Sequence, residues 1–306
     1  MESTPQAVRV TNLTKRFGAL TAVNNLSFTI PEGAIAGFVG PNGAGKTTSI
    51  RMLLGLVAPS GGQAEVLGSP IGMPSQYLPK VGAMIEGPAF YPNLSGEGNL
   101  RVLATLAGLP HDRVHEALVR VGLEGRKSDP VKRYSLGMKQ RLGIAGTLMR
   151  NPRLLILDEP LNGLDPPGII EMRTLMRTLQ KDGVTIIVSS HLLGEVEQVA
   201  DWLVSIRSGH EQYCGSTDAL PGRGSEHLVV RVDSDDEAAT VARIVTKAGH
   251  TFTKEGRTLT IDAPPSYART LNSDAMREGA VLTELRTSRA SLEGAVLAMM
   301  QEESPS

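Results

Sequence analysis

The sequence predicts an α/β protein in two parts: a large domain on a mostly parallel sheet over residues 1–220, and a small α+β domain over residues 221–306. Three observations predict it. Short aliphatic runs at 34–39, 154–157 and 185–188 are interleaved with helix-period segments, the pattern of strands buried on both faces. A glycine-rich stretch, Gly40-Pro41-Asn42-Gly43-Ala44-Gly45-Lys46-Thr47, joins the first of those runs to a helical pattern. Near residue 220 the composition turns to Pro221-Gly222-Arg223-Gly224, a linker, and the pattern beyond it reads βαββαβ, a ferredoxin-like order.

Composition sets the outer limits. The net charge is −1, so no broad basic field draws the chain to nucleic acid. Its single cysteine, Cys214, excludes an internal disulfide and a multi-cysteine metal site, and it suits a reducing cytoplasm. No apolar run approaches the ~18 residues that a membrane helix needs. Residues 1–10 lack the basic and apolar regions of a signal peptide. Work at a membrane therefore calls for another polypeptide to span it.

The first strands are expected at 8–13 and 26–30, the second ending in the turn Pro31-Glu32-Gly33. Phe17, followed by Gly18, is expected in a turn between them. A lone aromatic is usually core, but an exposed ring can stack on a base, a contact worth ~1–3 kcal/mol. In the glycine-rich stretch, Gly40, Gly43 and Gly45 let the backbone turn tightly and aim successive N–H groups at one anion. Lys46 is suited to neutralise outer phosphates and the Thr47 hydroxyl to hold Mg²⁺. Ile50, Leu53, Leu54 and Val57 then share one helix face.

Short apolar strands follow at 64–67 and 81–85, broken by Glu86-Gly87-Pro88. Helices are expected at 99–106, 113–121 and 135–149, the last stopped by Arg150-Asn151-Pro152. His111 and His115 lie four apart but lack carboxylate-rich or cysteine partners, so they read as solvated rather than metal-binding. The aliphatic run 154–157 empties into Asp158-Glu159, at the carboxyl edge of a sheet, where ligands sit. Asp158 is suited to bind Mg²⁺ and Glu159 to orient or deprotonate a water. The next run ends at Ser189-Ser190-His191, which puts His191 within reach of a γ-phosphate; alone, a structural histidine is an equal reading. A helix carrying Leu193, Val196, Val199 and Ala200 comes next, and 203–206 is expected to close the sheet. Beyond the linker, strands are expected at 227–232, 251–253, 258–261 and 281–285, with helices at 237–248, 265–278 and 291–300.

With these residues in hand, the sequence over 8–220 resembles the ATP-binding subunits of ABC transporters. The stretch Tyr134-Ser135-Leu136-Gly137-Met138-Lys139-Gln140-Arg141 is similar to the family signature, and Leu161-Asn162-Gly163-Leu164-Asp165-Pro166 is similar to its D-loop. His191 falls where the family has its switch histidine, and Phe17 where it stacks adenine. The resemblance implies a P-loop NTPase core with a helical subdomain at about 88–150. It implies that ATP is held by residues 40–48, Thr48 included, and by Phe17, with Mg²⁺ at Thr47 and Asp158. Lys46, Glu159 and His191 carry the chemistry. Two cassettes pair head to tail, so that Ser135, Gly137 and Asp165 of one complete the site of the other. A second copy of the chain is expected rather than a different cassette, with a separate transmembrane permease as the other partner. That places the chain on the cytoplasmic face of the membrane.

Three residues depart from the family pattern. Leu136 stands at a usual glycine, Met138 at a usual glutamine, and Glu86 at the Q-loop glutamine. A carboxylate at 86 can still ligate metal but cannot donate an amide hydrogen bond. With residues 85–95 and Arg289-Ala290-Ser291-Leu292-Glu293, these departures resemble the bacitracin and lantibiotic export branch. Two other classes compete. Soluble ABC proteins of translation or repair usually carry two cassettes or a long coiled coil, and this chain has one set of motifs. A purely regulatory module has no use for an intact Glu159.

Overall fold

In the computed structural model, which describes residues 5–220 and 226–289, the chain opens with a long hairpin. Strands β1 (Gln6–Phe17) and β2 (Leu20–Pro31) pair antiparallel down to Phe17 and Leu20, and Gly18 makes the turn at φ +56°. Phe17 therefore ends a strand rather than lying between two. Next come β3 (Ile35–Val39), buried at every position, and α1 (Lys46–Leu53). The helix stops short of the expected Val57, because Gly55 turns left-handed at φ +68°. Strands β4 (Gly61–Val66) and β5 (Ser69–Pro70), the short helix α2 (Pro74–Tyr77) and β6 (Val81–Met84) lead to three helices. These are α3 (Gly96–Leu106), α4 (Asp112–Arg120) and α5 (Leu136–Leu148). The remainder alternates: β7 (Leu154–Asp158), α6 (Pro166–Lys181), β8 (Thr185–Ser190), α7 (Leu193–Glu197), β9 (Trp202–Arg207) and β10 (His210–Ser216).

Two sheets result in the unit Met1–Thr217. One is antiparallel, ordered β2-β1-β4-β5; the other is ordered β10-β9-β3-β8-β7-β6 and parallel from β9 to β6. The expectation that 203–206 closes the sheet fails, because β10 pairs antiparallel along β9 and takes the edge. That strand is mixed in polarity and half-buried, as an edge strand is. Helix α7 ends at Glu197, so Val199 and Ala200 are buried in the turn beyond it. Between the sheets lies a core of Phe28, Ile30, Phe38, Ile50, Leu53 and Ile187, with the Phe28 and Phe38 rings 5.5 Å apart. Burial of large apolar side chains at about 25 cal/mol per Å² is what holds such layers together. β3, β7 and β8 are covered on both faces, and the polar groups Asp158, Ser189 and Ser190 stand at the carboxyl ends of β7 and β8.

Asp218–Ser306 forms the second compact unit. It runs β11 (Glu226–Val232), α8 (Asp235–Lys247), β12 (Thr251–Glu255), β13 (Thr258–Asp262), α9 (Tyr267–Arg277) and β14 (Leu282–Arg289). Its sheet is antiparallel in the order β12-β13-β11-β14, the ferredoxin-like arrangement. Leu228, Val230, Leu259 and Ile261 face Val241, Ile244 and Leu271 in one apolar core. The helix expected at 291–300 lies outside the described residues. No helix among the described residues is long and apolar enough to cross a membrane.

Candidate active site

The carboxyl edge of the parallel sheet gathers the predicted residues from three strands. After β3 the chain makes the glycine loop, in which Gly43 and Gly45 sit at φ +81° and +103°. Gly45 caps α1 and presses on the hairpin: a Cβ there would come within 2.5 Å of the Ala22 carbonyl oxygen. Only glycine meets both demands. Lys46 starts the helix and is 7% exposed. Its Nζ donates to the carbonyls of Gly40 (2.7 Å) and Pro41 (3.3 Å), so the loop stores the cation inside its own curve.

Thr47 turns toward β7. Its hydroxyl donates to Asp158 Oδ2 at 3.0 Å, while the Ser189 hydroxyl, from β8, donates to Asp158 Oδ1. One carboxylate thus ties the phosphate-loop helix to two adjacent strands. Glu159 follows in the left-handed region at φ +50°, a conformation costing a non-glycine residue roughly 1–2 kcal/mol. Its N–H donates to Ser189 Oγ at 2.9 Å, which fixes that backbone. Its carboxylate lies 3.7 Å from Lys46 Nζ and 2.9 Å from His191 Nδ1. The turn carrying His191 is held by Ser190, whose Oγ accepts from Leu192 N–H and donates to Glu195. Lys46, Thr47, Asp158, Glu159 and His191 therefore form one connected cluster.

The other predicted residues sit on neighbouring surfaces. Phe17 is 49% exposed, with Lys15 Nζ 4.9 Å above its ring. It lies at the tip of the hairpin whose Ala22 carbonyl packs close to Gly45 of the loop. Ser135 caps α5, accepting from Met138 N–H at 3.2 Å. Asp165 caps α6, accepting from Gly168 N–H at 3.3 Å. The two helix starts lie side by side: a Cβ on Gly137 would be in ordinary contact with the Gly168 Cα, at 3.8 Å. The N–H groups of a helix's first residues have no intrahelical partners, so Leu136 and Gly137 at the start of α5 present donors to an anion, whereas α6 opens on Pro166 and Pro167, which have none, and on Gly168, whose N–H goes to Asp165.

Comparisons with known proteins agree with this arrangement. A family model described as ABC transporter matches residues 23–162. The bacitracin transport ATP-binding protein BcrA of Enterococcus faecalis is 40% identical over 291 residues, 94% of each chain. The chain belongs to the ABC transporter ATP-binding family. The lantibiotic transport ATP-binding protein SrtF of Streptococcus pyogenes is 43% identical over 213 residues, 68% of this chain and 92% of that one. Among solved structures, cbiO1 of Clostridium perfringens, part of the ABC transporter complex cbiONQ, superimposes with a TM-score of 0.64. It is 28% identical and covers 69% of this chain and 89% of its own.

As an ABC ATPase, the chain binds and hydrolyses nucleotide as the ATP-binding subunit of a transporter. The oxygen donors of Thr47 and Asp158 fit a hard divalent cation. Glu86 is engaged differently: it is exposed, at φ +65°, and accepts from Arg51 of α1 at 2.6 Å. An exposed pair of this kind is worth up to about 1 kcal/mol. His111 and His115 have separate neighbours, Thr105 and Glu124, and form no metal site; no cluster of three or more such ligands exists among the described residues. Ser189 is the functional residue that sequence reading passes over. Its only sequence signal is a polar residue ending an apolar strand run.

Proposed function

We propose that this ATPase powers export of an antibiotic- or peptide-like cargo through a separate membrane permease, working as a head-to-tail pair of identical chains on the cytoplasmic face. The observation that carries the catalytic part is the Glu159 carboxylate, placed between Lys46 and His191 and one residue beyond the Thr47–Asp158 bond. The export assignment rests on likeness to bacitracin and lantibiotic transport proteins. Pairing is favoured because the chain has one set of motifs, and its signature lies at the start of α5 and its D-loop at the start of α6, rather than on the phosphate loop.

The chemistry follows from the cluster. Phosphates seat on the N–H groups of residues 40–48, and Lys46 leaves the Gly40 and Pro41 carbonyls to neutralise them. Thr47 and Asp158 would hold Mg²⁺, which would supply charge neutralisation at the phosphate oxygens. Glu159 accepts a proton from water as that water's oxygen attacks the γ-phosphorus and the bond to the β-phosphate oxygen breaks. His191 holds Glu159 in line from the far side. Ser135, Gly137 and Asp165 of the second copy close the site and exclude bulk water. Phe17 stacks on adenine. Glu86 remains a candidate contributor at the metal, through a rearrangement that frees it from Arg51.

Glu159→Gln keeps the shape and removes the base. We expect nucleotide binding within about threefold of wild type, turnover lower by roughly 10²–10⁴-fold, and an ATP-dependent dimer by sedimentation. Wild-type turnover in that variant refutes the base assignment, and an ATP-bound monomer refutes the pairing.

A further inference from the structure

Lys15 stands two residues before Phe17, near the end of β1. It is half-buried, although its successors Arg16 and Phe17 are exposed. Its Nζ donates to the Ala58 carbonyl at 2.7 Å and lies 4.9 Å from the centre of the Phe17 ring. The same stretch grips the strand twice more. The Ser60 N–H donates to the Thr14 carbonyl at 2.7 Å, and the Arg16 N–H donates to Ser60 Oγ at 3.0 Å. Residues 58–60 lie between α1 and β4, so the end of β1 is fastened to the segment that follows the phosphate-loop helix. A phenylalanine ring carries no polar atom to fix it, and exposed side chains change rotamer in picoseconds to nanoseconds. The face of the ring is negative, so a cation over it is attracted. Lys15 occupies one face of the ring and leaves the other to a base.

We propose that Lys15 is a positioning residue for base recognition: its ammonium, anchored on the Ala58 carbonyl, holds the Phe17 ring ready to stack. A ring ordered before the nucleotide arrives spares the complex the entropy of ordering it. The contribution passes through the ring, because the contacts of the ammonium are the Ala58 carbonyl and Phe17, while Lys46 serves the phosphate loop. The inference rests on the reading that Phe17 stacks on adenine.

The test is a double-mutant cycle on the full-length chain, with Mg-ATPγS affinity measured by titration. Lys15→Gln removes the cation and is expected to weaken binding about threefold. In a Phe17→Ala background, itself weakened about tenfold, the same change is expected to cost less than about 1.5-fold. Lys15→Arg keeps a cation that also packs on rings, and is expected to bind within about 1.5-fold of wild type. Any loss that comes from a loosened hairpin appears in both backgrounds and cancels in the cycle. Failure of wild type to bind, or full affinity in Phe17→Ala, sinks the stacking reading and the inference together. A weakened Phe17→Ala beside an unaffected Lys15→Gln overturns the inference alone. So does an equal loss on Lys15→Gln in both backgrounds, which would make Lys15 a direct nucleotide contact or a plain hairpin support. A Lys15→Arg variant that melts like wild type yet binds as weakly as Lys15→Gln also overturns it.

Discussion

The two units spend their interiors differently. Every buried polar or charged side chain among the described residues belongs to the first, from Lys46 and Asp158 to Ser189 and Ser190. The second closes on Leu228, Val230, Leu259, Ile261, Val241 and Leu271, with no buried polar side chain among its described residues. Burying a polar group is unfavourable unless it is bonded. In the first unit Lys46, Asp158 and Ser189 meet that condition at the carboxyl edge of the parallel sheet. The comparison teaches that chemistry and plain stability have been assigned to separate cores.

The largest effect that should sharpen this contrast is Lys46→Ala. We expect nucleotide affinity to fall by roughly 10²–10³-fold, measured by titration, with little change in thermal stability. Next is Leu259→Ala, which opens the apolar core of the second unit and should lower its stability by about 3 kcal/mol in denaturant unfolding. Its turnover should stay within about twofold of wild type; a large loss would break the separation of roles. Phe17→Ala comes third, weakening ATP binding about tenfold while leaving kcat intact. Unchanged ATP affinity in that variant would count against stacking.

The smallest effect is a pH dependence in the second unit. A hydrogen bond from the Val281 N–H, joined by those from Ser234 and Asp233, holds the Glu237 carboxyl below its ordinary value. Folding therefore favours the charged form. That contribution is fully present above 4.5 and is lost as pH falls through the lowered value. Replacing Glu237 by Gln should flatten the acid limb of that unit's melting curve, and an unchanged limb would remove the capping box from the account.

Much of the first unit was legible because its signals are short range. The glycines of the loop, the aliphatic strands and the acids after β7 are each dictated by neighbours in sequence. Helix α6 went unassigned, although Asp165 caps it, Pro166 opens it, and Met172, Leu175, Met176 and Leu179 share its buried face. The edge strand β10 was missed because its half-buried residues lack the continuous apolar run of a central strand. Ser189 and Arg51 escaped for another reason. A serine or an arginine has no fixed meaning in one dimension, and their partners lie 31 and 35 residues away.

Glu159 adopts a backbone conformation that glycine would adopt freely. Glycine at that position would relieve about 1 kcal/mol of torsion and erase the carboxylate that Lys46 and His191 contact in one step. A selection that rewarded heat resistance alone would therefore favour an inert enzyme at this residue. A glutamate at this position therefore trades backbone ease for a carboxylate between Lys46 and His191.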